Sequence, residues 1–148
     1  EVLKLYGKMH FGRSLKADWH KDADAHAESV ETITIDDVAD KFLPRDGSPI
    51  VVKLDVEGVE VAAIKGGRRV LEAGALLVYE DHQKELTHPA STHLLADGGF
   101  EIWHIGKGRT LSRIENLDQV AQAKQIAHDF FAYKRGSLWS KYFSEGVH

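Results

Sequence analysis

The sequence predicts a mixed α/β domain with parallel strands at the centre of its sheet. Two near-continuous apolar runs, residues 50–54 and 75–79, have the composition of strands that are covered on both faces. Helical segments separate the early strands, whereas the last apolar runs follow closely enough to pair antiparallel. Strands that alternate with helices favour a parallel sheet with helical crossovers.

Composition limits the chain to one domain and to a few classes of function. Its 148 residues are 43% hydrophobic and carry a net charge of −4, which suits a single packed domain over 1–148. The basic residues are scattered, so no nucleic-acid surface is indicated. No apolar run reaches membrane-spanning length, and no membrane partner is expected. The absence of cysteine excludes thiolate chemistry and fits a reducing, cytoplasmic location.

The amino-terminal third predicts two strands and one helix. Residues 2–6 form a short apolar run, and residues 30–35 are rich in β-branched side chains, so both predict strands. Asp36 or Thr34 can cap a helix over residues 37–42.

The remaining elements follow from apolar periodicity and from glycine and proline positions. A helix over residues 59–65 is interrupted by Gly66 and Gly67, and a short second helix covers residues 68–72. Pro89 opens a helix to about residue 96, which Gly98 and Gly99 end. The pattern then predicts strands 100–105, 110–114 and 128–133, and helical segments 118–126 and 138–143.

The most informative stretch is the strand at residues 50–54 and the residues that follow it. Lys53, Asp55 and Glu57 share one parity, so their charged side chains should lie on one face. Gly58 permits a sharp turn, and Glu60 falls in the first turn of the next helix, where the helix dipole favours an anion. Because ligands of open α/β sheets bind beyond the carboxyl ends of the strands, this cluster predicts a functional site.

A second polar cluster, Glu80, Asp81 and His82, ends the next predicted strand. A right-handed crossover places the two strand ends side by side. Carboxylates beside an imidazole can orient a hydroxyl, accept its proton or hold a divalent ion. An exposed loop histidine is the alternative interpretation of His82, and a set of charges that holds a loop is the alternative for Lys53 and its neighbours.

Another candidate for metal binding is the alternation of acidic residues and histidines in the early loop. Every second residue there is a potential ligand: His20, Asp22, Asp24, His26 and Glu28. This spacing can present ligands on one side of an extended segment. A solvated acidic loop is the more common meaning of such a run, so no metal site is assigned.

Several of these motifs, in this order, resemble the FkbM-type methyltransferases, which depend on S-adenosylmethionine. The most specific piece is the Lys-x-Asp-x-Glu-Gly-x-Glu core, which begins at Lys53 and is followed by Lys65 and Gly66. Weaker pieces support it by their order: residues 32–37, residues 77–82 and residues 98–100. The resemblance covers residues 30–105 well and the tail only loosely.

The resemblance implies a seven-stranded, Rossmann-like methyltransferase sheet with an antiparallel terminal strand. The strands near residues 50, 75, 100 and 128 would be its fourth to seventh strands and would lie together as one half of the sheet. It also implies methyl transfer to a hydroxyl of a sugar or another small molecule. We expect Lys53, Asp55, Glu57, Glu80 and His82 at the catalytic site, with Asp55 also facing the cofactor and Glu80 or His82 as the base.

One departure from the family pattern concerns the cofactor. The Gly106-Lys107-Gly108 run comes late, after the predicted strand 100–105, and leads to no long helix, so it does not match the cofactor turn of the family. The chain therefore corresponds to the carboxyl-terminal part of the domain and should bind S-adenosylmethionine poorly by itself. The strand at residue 50 would then be an open sheet edge, which predicts a homo-oligomer unless strand 2–6 or strand 30–35 covers it. The rival functions are a divalent-metal hydrolase that uses Asp55, Glu57 and Glu80, and a non-catalytic binding or assembly module.

Overall fold

The computed structural model describes residues 1–7, 13–15, 27–56, 58–81, 90–106 and 110–144. Two sheets and six helices are formed by these residues. In chain order the elements are β1 (Val2–Leu5), β2 (Glu28–Glu31), α1 (Ile35–Phe42), β3 (Val51–Leu54), α2 (Glu60–Gly66), α3 (Arg68–Glu72), β4 (Leu76–Glu80), α4 (Ala90–Asp97), β5 (Phe100–Ile105), β6 (Leu111–Ile114), α5 (Asp118–Lys124), β7 (Asp129–Lys134) and α6 (Leu138–Ser144).

The main sheet has five strands in the order β3-β4-β7-β5-β6. β3 and β4 pair in parallel, with Leu54 beside Tyr79. β7 runs antiparallel to both of its neighbours, β4 and β5, and β6 pairs antiparallel with β5. The mixed α/β class is confirmed, and the four strands expected to lie together do so, whereas a seven-stranded sheet is not found among the described residues.

Two details of the predicted sheet are corrected by this order. Among the described strands, the parallel pair lies at one edge of the sheet rather than at its centre, and β7 is inserted between β4 and β5. The last strand of the chain is antiparallel as predicted, but it is an interior strand. Inside the sheet it contributes Phe130 and Ala132, which are fully buried. Tyr133, on the other face of the strand, is 1% exposed, so β7 has buried side chains on both faces.

The start of α1 corrects the strand predicted over residues 30–35. β2 ends at Glu31, and Thr34 is the N-cap of α1, where its hydroxyl accepts the amide N–H of Asp37 at 3.0 Å. The Asp37 carboxylate bonds back to the N–H of Thr34, which completes a capping box. The capping box satisfies two backbone N–H groups at the start of the helix. This stabilisation outweighs the preference of Thr32 and Ile33 for a β-strand.

Asp36, the other candidate cap, serves a different helix. Its carboxylate accepts the amide N–H groups of Arg69 and Val70, at 3.1 and 3.0 Å, in the first turn of α3. Gly67 lies at the junction of α2 and α3, and a β-carbon there would come within 3.0 Å of the Ile35 side chain. The predicted helix break is therefore confirmed, and it lets α1 pack closely on the junction.

The hydrophobic core lies on one face of the main sheet. Buried side chains of β4, β5 and β7 meet those of the helices there, and the set includes Leu77, Tyr79, Ile102, Phe130, Ala132, Ile64, Leu71, Leu95 and Val120. On the opposite face, Phe143 of α6 packs on the rings of Trp103 and Tyr133, with centroids 5.4 and 5.0 Å away. At the β3 end of that opposite face, Val51 is 56% exposed.

The two-stranded sheet is separate from the main sheet. β1 pairs antiparallel with β2, from Val2 opposite Glu31 to Leu5 opposite Glu28. Arg13 and Glu28 form an ion pair of 2.7 Å beside it. Neither strand pairs with β3, so the alternative in which one of them covers that edge is not found among the described strands.

The later elements agree with the prediction within one or two residues at each end. Gly98 and Gly99 follow α4, and their amides bond back to Leu94 and Ala96, as in a helix stop. Pro89 lies outside the described residues. No helix in the described part of the chain is long and apolar enough to cross a membrane.

Candidate functional site

The candidate site begins at the carboxyl end of β3, where the predicted alternation is confirmed. Leu54 is buried, whereas Lys53 and Asp55 lie on the other face. Lys53 Nζ and Asp55 Oδ2 are 3.5 Å apart, and the two side chains are 61% and 50% exposed. A long ion pair with this exposure contributes little to stability. Both groups therefore remain available to a ligand.

The turn after this strand is fixed by Gly58 and Glu60. Gly58 has φ of 91°, a conformation that disfavours residues with a β-carbon. Its amide N–H donates to Glu60 Oε1 at 2.8 Å, and Glu60 is buried in the first turn of α2. Glu60 thus holds the turn in place, and its position at the helix start is as predicted. Glu57, which lies between these residues and the strand, is outside the described residues.

Sheet register aligns three acidic positions at this edge. Lys53 pairs with Val78, so continuing the parallel register places Asp55 beside Glu80 on the same face. Glu80 is in turn directly opposite Asp129 of β7. Neighbouring strands are about 4.8 Å apart. With the β3 register extended by one residue past Leu54, the positions of Asp55, Glu80 and Asp129 follow one another across three strands, and we call these three residues the acidic row.

Asp129 is a member that sequence reasoning missed. The chain places it 49 residues after Glu80 (129 − 80), and only the insertion of β7 beside β4 makes the two residues neighbours. The available signal was the position of Asp129 at the start of the last apolar run, on the parity of Phe131. A prediction of antiparallel pairing with β4 in this register would have found it.

Behind the acidic row, on the core face, lies a buried polar network. Thr92 of α4 donates its hydroxyl to Asp81 Oδ2 at 3.0 Å, and the Tyr79 hydroxyl lies 3.0 Å from the same Thr92 oxygen. All three side chains are at most 1% exposed. The amide N–H of Asp81 also donates to the carbonyl of His128 at 3.1 Å. The network ties α4 and the start of β7 to the carboxyl end of β4.

The ionisation of Tyr79 is suppressed by this environment. Burial raises the pKa of Tyr79 well above its ordinary value, and the nearby Asp81 carboxylate raises it further, against the opposing effect of the Thr92 hydrogen bond. Tyr79 therefore stays a neutral phenol at physiological pH. Asp81 was expected in the second polar cluster, but the strand turns it away from Glu80, so it supports the site from behind.

His82 lies outside the described residues, as do residues 20–26 of the alternating loop. Within the part of the chain that the structure describes, no group of three or more histidine, aspartate or glutamate side chains is placed to hold a metal ion. The hydrolase alternative thus gains no support from these residues.

A second carboxylate centre lies on the same face of the sheet at β5. Glu101 accepts hydrogen bonds from the Tyr133 hydroxyl and from Arg135 Nε, both at 3.0 Å, and Arg113 lies 3.5 Å away. Trp103 Nε1 donates to the Tyr133 oxygen at 3.0 Å. Burial, together with the bond to Glu101, raises the pKa of Tyr133 to about 12. We call this set the Glu101 network.

The parallel pair ends in charged side chains beside a glycine turn and a helix start, and open α/β sheets commonly bind their ligands at this place. The family described as "Methyltransferase FkbM domain" matches residues 6–102, which is more than half of the chain. The chain therefore belongs to the FkbM methyltransferase domain family, as its motifs indicated. No curated protein and no solved structure gave a significant match.

Proposed function

We propose that this chain forms the acceptor side of an S-adenosylmethionine-dependent O-methyltransferase whose substrate is a hydroxyl of a sugar or another small molecule. Family membership supports methyl transfer. The observation that carries the finer proposal is the acidic row at the carboxyl end of the parallel pair. A cysteine-free sequence also suits the cytoplasm, which we propose as the location.

The described residues fit one end of the cofactor. Asp55 presents a half-exposed carboxylate at the strand end, which suits the positive charge of an ammonium or sulfonium group. When bound, S-adenosylmethionine supplies a methyl group that is activated by that sulfonium charge. The sequence offers no glycine-rich turn that leads from a strand into a long helix, which is the element that would hold the nucleoside. We therefore propose that this chain alone binds the cofactor weakly.

The chain's own residues then have separable roles. Lys53, 3.5 Å from Asp55, orients that carboxylate toward the gap between cofactor and acceptor. Glu80, next in the acidic row, or His82 accepts the proton of the acceptor hydroxyl as the methyl is transferred. Proton removal of this kind contributes about 10²- to 10⁴-fold to a rate. Positioning of the hydroxyl by the neighbouring carboxylates supplies much of the remainder.

Replacement of the first carboxylate tests this proposal. In catalytically competent enzyme, Asp55→Ala should lower methyl transfer at least about 100-fold, because a charge at the reacting gap is lost. The fold should be retained, since an exposed side chain at a strand end contributes little packing. Transfer of labelled methyl from S-adenosylmethionine gives the rate, and circular dichroism gives the fold. A rate within about threefold of the parent would refute the role of Asp55.

Calorimetry tests the cofactor claim separately. This chain alone should give no measurable heat of S-adenosylmethionine binding at micromolar protein. Micromolar affinity would show that the nucleoside site lies within this chain. That outcome would leave the acidic row in place and would overturn only the proposed weakness of binding.

A further inference from the structure

Glu80, a proposed proton acceptor, is flanked in the chain by two buried residues. Side chains alternate along β4, so Glu80 lies on the face of the acidic row, whereas Tyr79 and Asp81 point into the core. Both core side chains reach the same oxygen, because Thr92 Oγ1 lies 3.0 Å from the Tyr79 hydroxyl and 3.0 Å from Asp81 Oδ2. One hydroxyl of α4 thus holds β4 on both sides of Glu80.

The backbone that follows Glu80 is fixed as well. The amide N–H of Asp81 donates to the His128 carbonyl at 3.1 Å, so these two residues occupy a hydrogen-bonded position of the antiparallel ladder. Hydrogen-bonded and non-hydrogen-bonded positions alternate along such a ladder. Glu80 and Asp129, the next pair, therefore occupy a non-hydrogen-bonded position, where Cα atoms are about 4.5 Å apart and side chains are closest.

The network behind Glu80 is an expensive way to fill this part of the core. Tyr79, Thr92 and Asp81 are at most 1% exposed, so a phenol, a hydroxyl and a carboxylate all lose their hydration. Apolar side chains of similar volume would fill the same space without that cost. Hydrogen bonds in a buried network do, however, fix one geometry, which apolar contacts do less strictly. The network therefore indicates that the geometry of this strand end matters.

We propose that Thr92 is a positioning residue for methyl transfer, because it fixes the carboxyl end of β4 and so directs the Glu80 carboxylate to the acceptor hydroxyl. Thr92 is fully buried on the core side, so it acts through the strand rather than on the substrate. A misplacement of about 1 Å at a reacting group can lower a rate about 100-fold. The inference rests on the proposed function, since it requires Glu80 to accept the proton.

Steady-state methyl transfer by competent enzyme tests this role, with circular dichroism to establish that each variant is folded at the assay temperature. Thr92→Val keeps the shape of the side chain but removes the hydroxyl, and its kcat should fall about 10- to 100-fold while KM for S-adenosylmethionine stays within about threefold. Thr92→Ser retains the hydroxyl and should restore most of the rate. Glu101→Ala, which is also expected to be destabilised, is the control for stability alone and should keep the parental rate.

A double-variant cycle separates the positioning of Glu80 from a general effect on the fold. Glu80→Gln alone should lower kcat at least about 100-fold. Adding Thr92→Val to it should lower kcat little further, because the group that Thr92 positions is already lost. If Thr92→Val does not fold, Tyr79→Phe, which removes one of the two hydrogen bonds at Thr92, takes its place in the cycle.

The outcomes distinguish this inference from the function on which it rests. Parental kcat in Thr92→Val, no recovery in Thr92→Ser, an equal loss in Glu101→Ala, or losses that multiply in the double variant would each overturn the positioning role and leave Glu80 as the base. A parental rate in Glu80→Gln would assign the proton to His82 and overturn the role of Thr92. A parent enzyme that transfers no methyl group would overturn the proposed function and this inference together.

Discussion

The acidic row and the Glu101 network are two carboxylate centres on the same face of one sheet, and they differ in how their carboxylates are satisfied. Glu101 is 14% exposed and is bonded by a phenol and by two arginines. Asp55 is half exposed and forms a long ion pair with Lys53. A carboxylate that accepts hydrogen bonds from several donors has a structural role and is not available to a ligand. One that faces solvent at the strand ends can still bind a substrate.

The difference shows why charge at a strand end is a better guide to function than charge alone. Both centres contain acidic residues that lie on β-strands, so amino-acid composition alone would not distinguish them. Only the acidic row lies at the carboxyl end of a parallel pair, where the chain turns into a helix through Gly58. The two kinds of site should therefore respond differently to substitution. The largest effect is the loss of activity expected for Asp55→Ala, and the smaller effects concern stability.

Removal of the Thr92 hydroxyl should cause the largest change in stability. Thr92→Val keeps the shape but takes a hydrogen bond from the buried Asp81 carboxylate and a partner from the Tyr79 hydroxyl. Unsatisfied buried groups of this kind cost about 2–3 kcal/mol. Urea denaturation measures the loss. Thr92→Ser is the matched control, because it retains the hydroxyl, and an equal loss in both variants would assign the effect to packing.

Truncation of Glu101 should lower the free energy of unfolding less than Thr92→Val does, because the arginine partners of Glu101 remain solvated. Glu101→Ala removes the acceptor of the Tyr133 hydroxyl, and we expect about 1–2 kcal/mol of destabilisation in urea. Methyl transfer by competent enzyme should be unchanged. A selective loss of transfer with full stability would place Glu101 in the site and would break the comparison.

Alkaline pH should weaken the fold through Tyr133. Its pKa rises from 10.0 to about 12 in the folded state, so folding favours the neutral phenol. The unfolded chain therefore loses its proton first, and stability that is complete below pH 10 is lost as the pH rises toward 12. Tyr133→Phe should reduce the dependence of stability on pH in this range. Some dependence should remain, because the pKa of Tyr79 is also raised in the folded state. An unchanged profile would contradict the assignment.

The smallest effect is expected at Lys53. Its ion pair with Asp55 is long and exposed, so Lys53→Gln should change the free energy of unfolding by less than about 0.5 kcal/mol. The measurement belongs at a protein concentration where sedimentation shows only monomer, so that association does not contribute. A loss above about 1 kcal/mol would mean that this pair is structural, like the contacts of Glu101.

Local pattern in the sequence predicted much of the fold and two of the three members of the acidic row, Asp55 and Glu80. Alternation placed Lys53 and Asp55 on one face, and the two apolar runs predicted the parallel pair. The insertion of β7 could not be read from the sequence, because strand order depends on contacts between distant residues, and Asp129 was missed for that reason. The strand predicted over residues 30–35 failed because capping by Thr34 competes with β-propensity.

The most direct test of the account compares Asp55→Ala with Glu101→Ala in the same competent enzyme, with methyl-transfer rate and melting temperature measured on each. We predict that Asp55→Ala loses at least about 100-fold in rate and melts within about 2 °C of the parent. Glu101→Ala should keep its rate and melt about 3–8 °C lower. A variant pair in which Asp55→Ala keeps the parental rate, or in which both lose rate and stability together, would contradict the account.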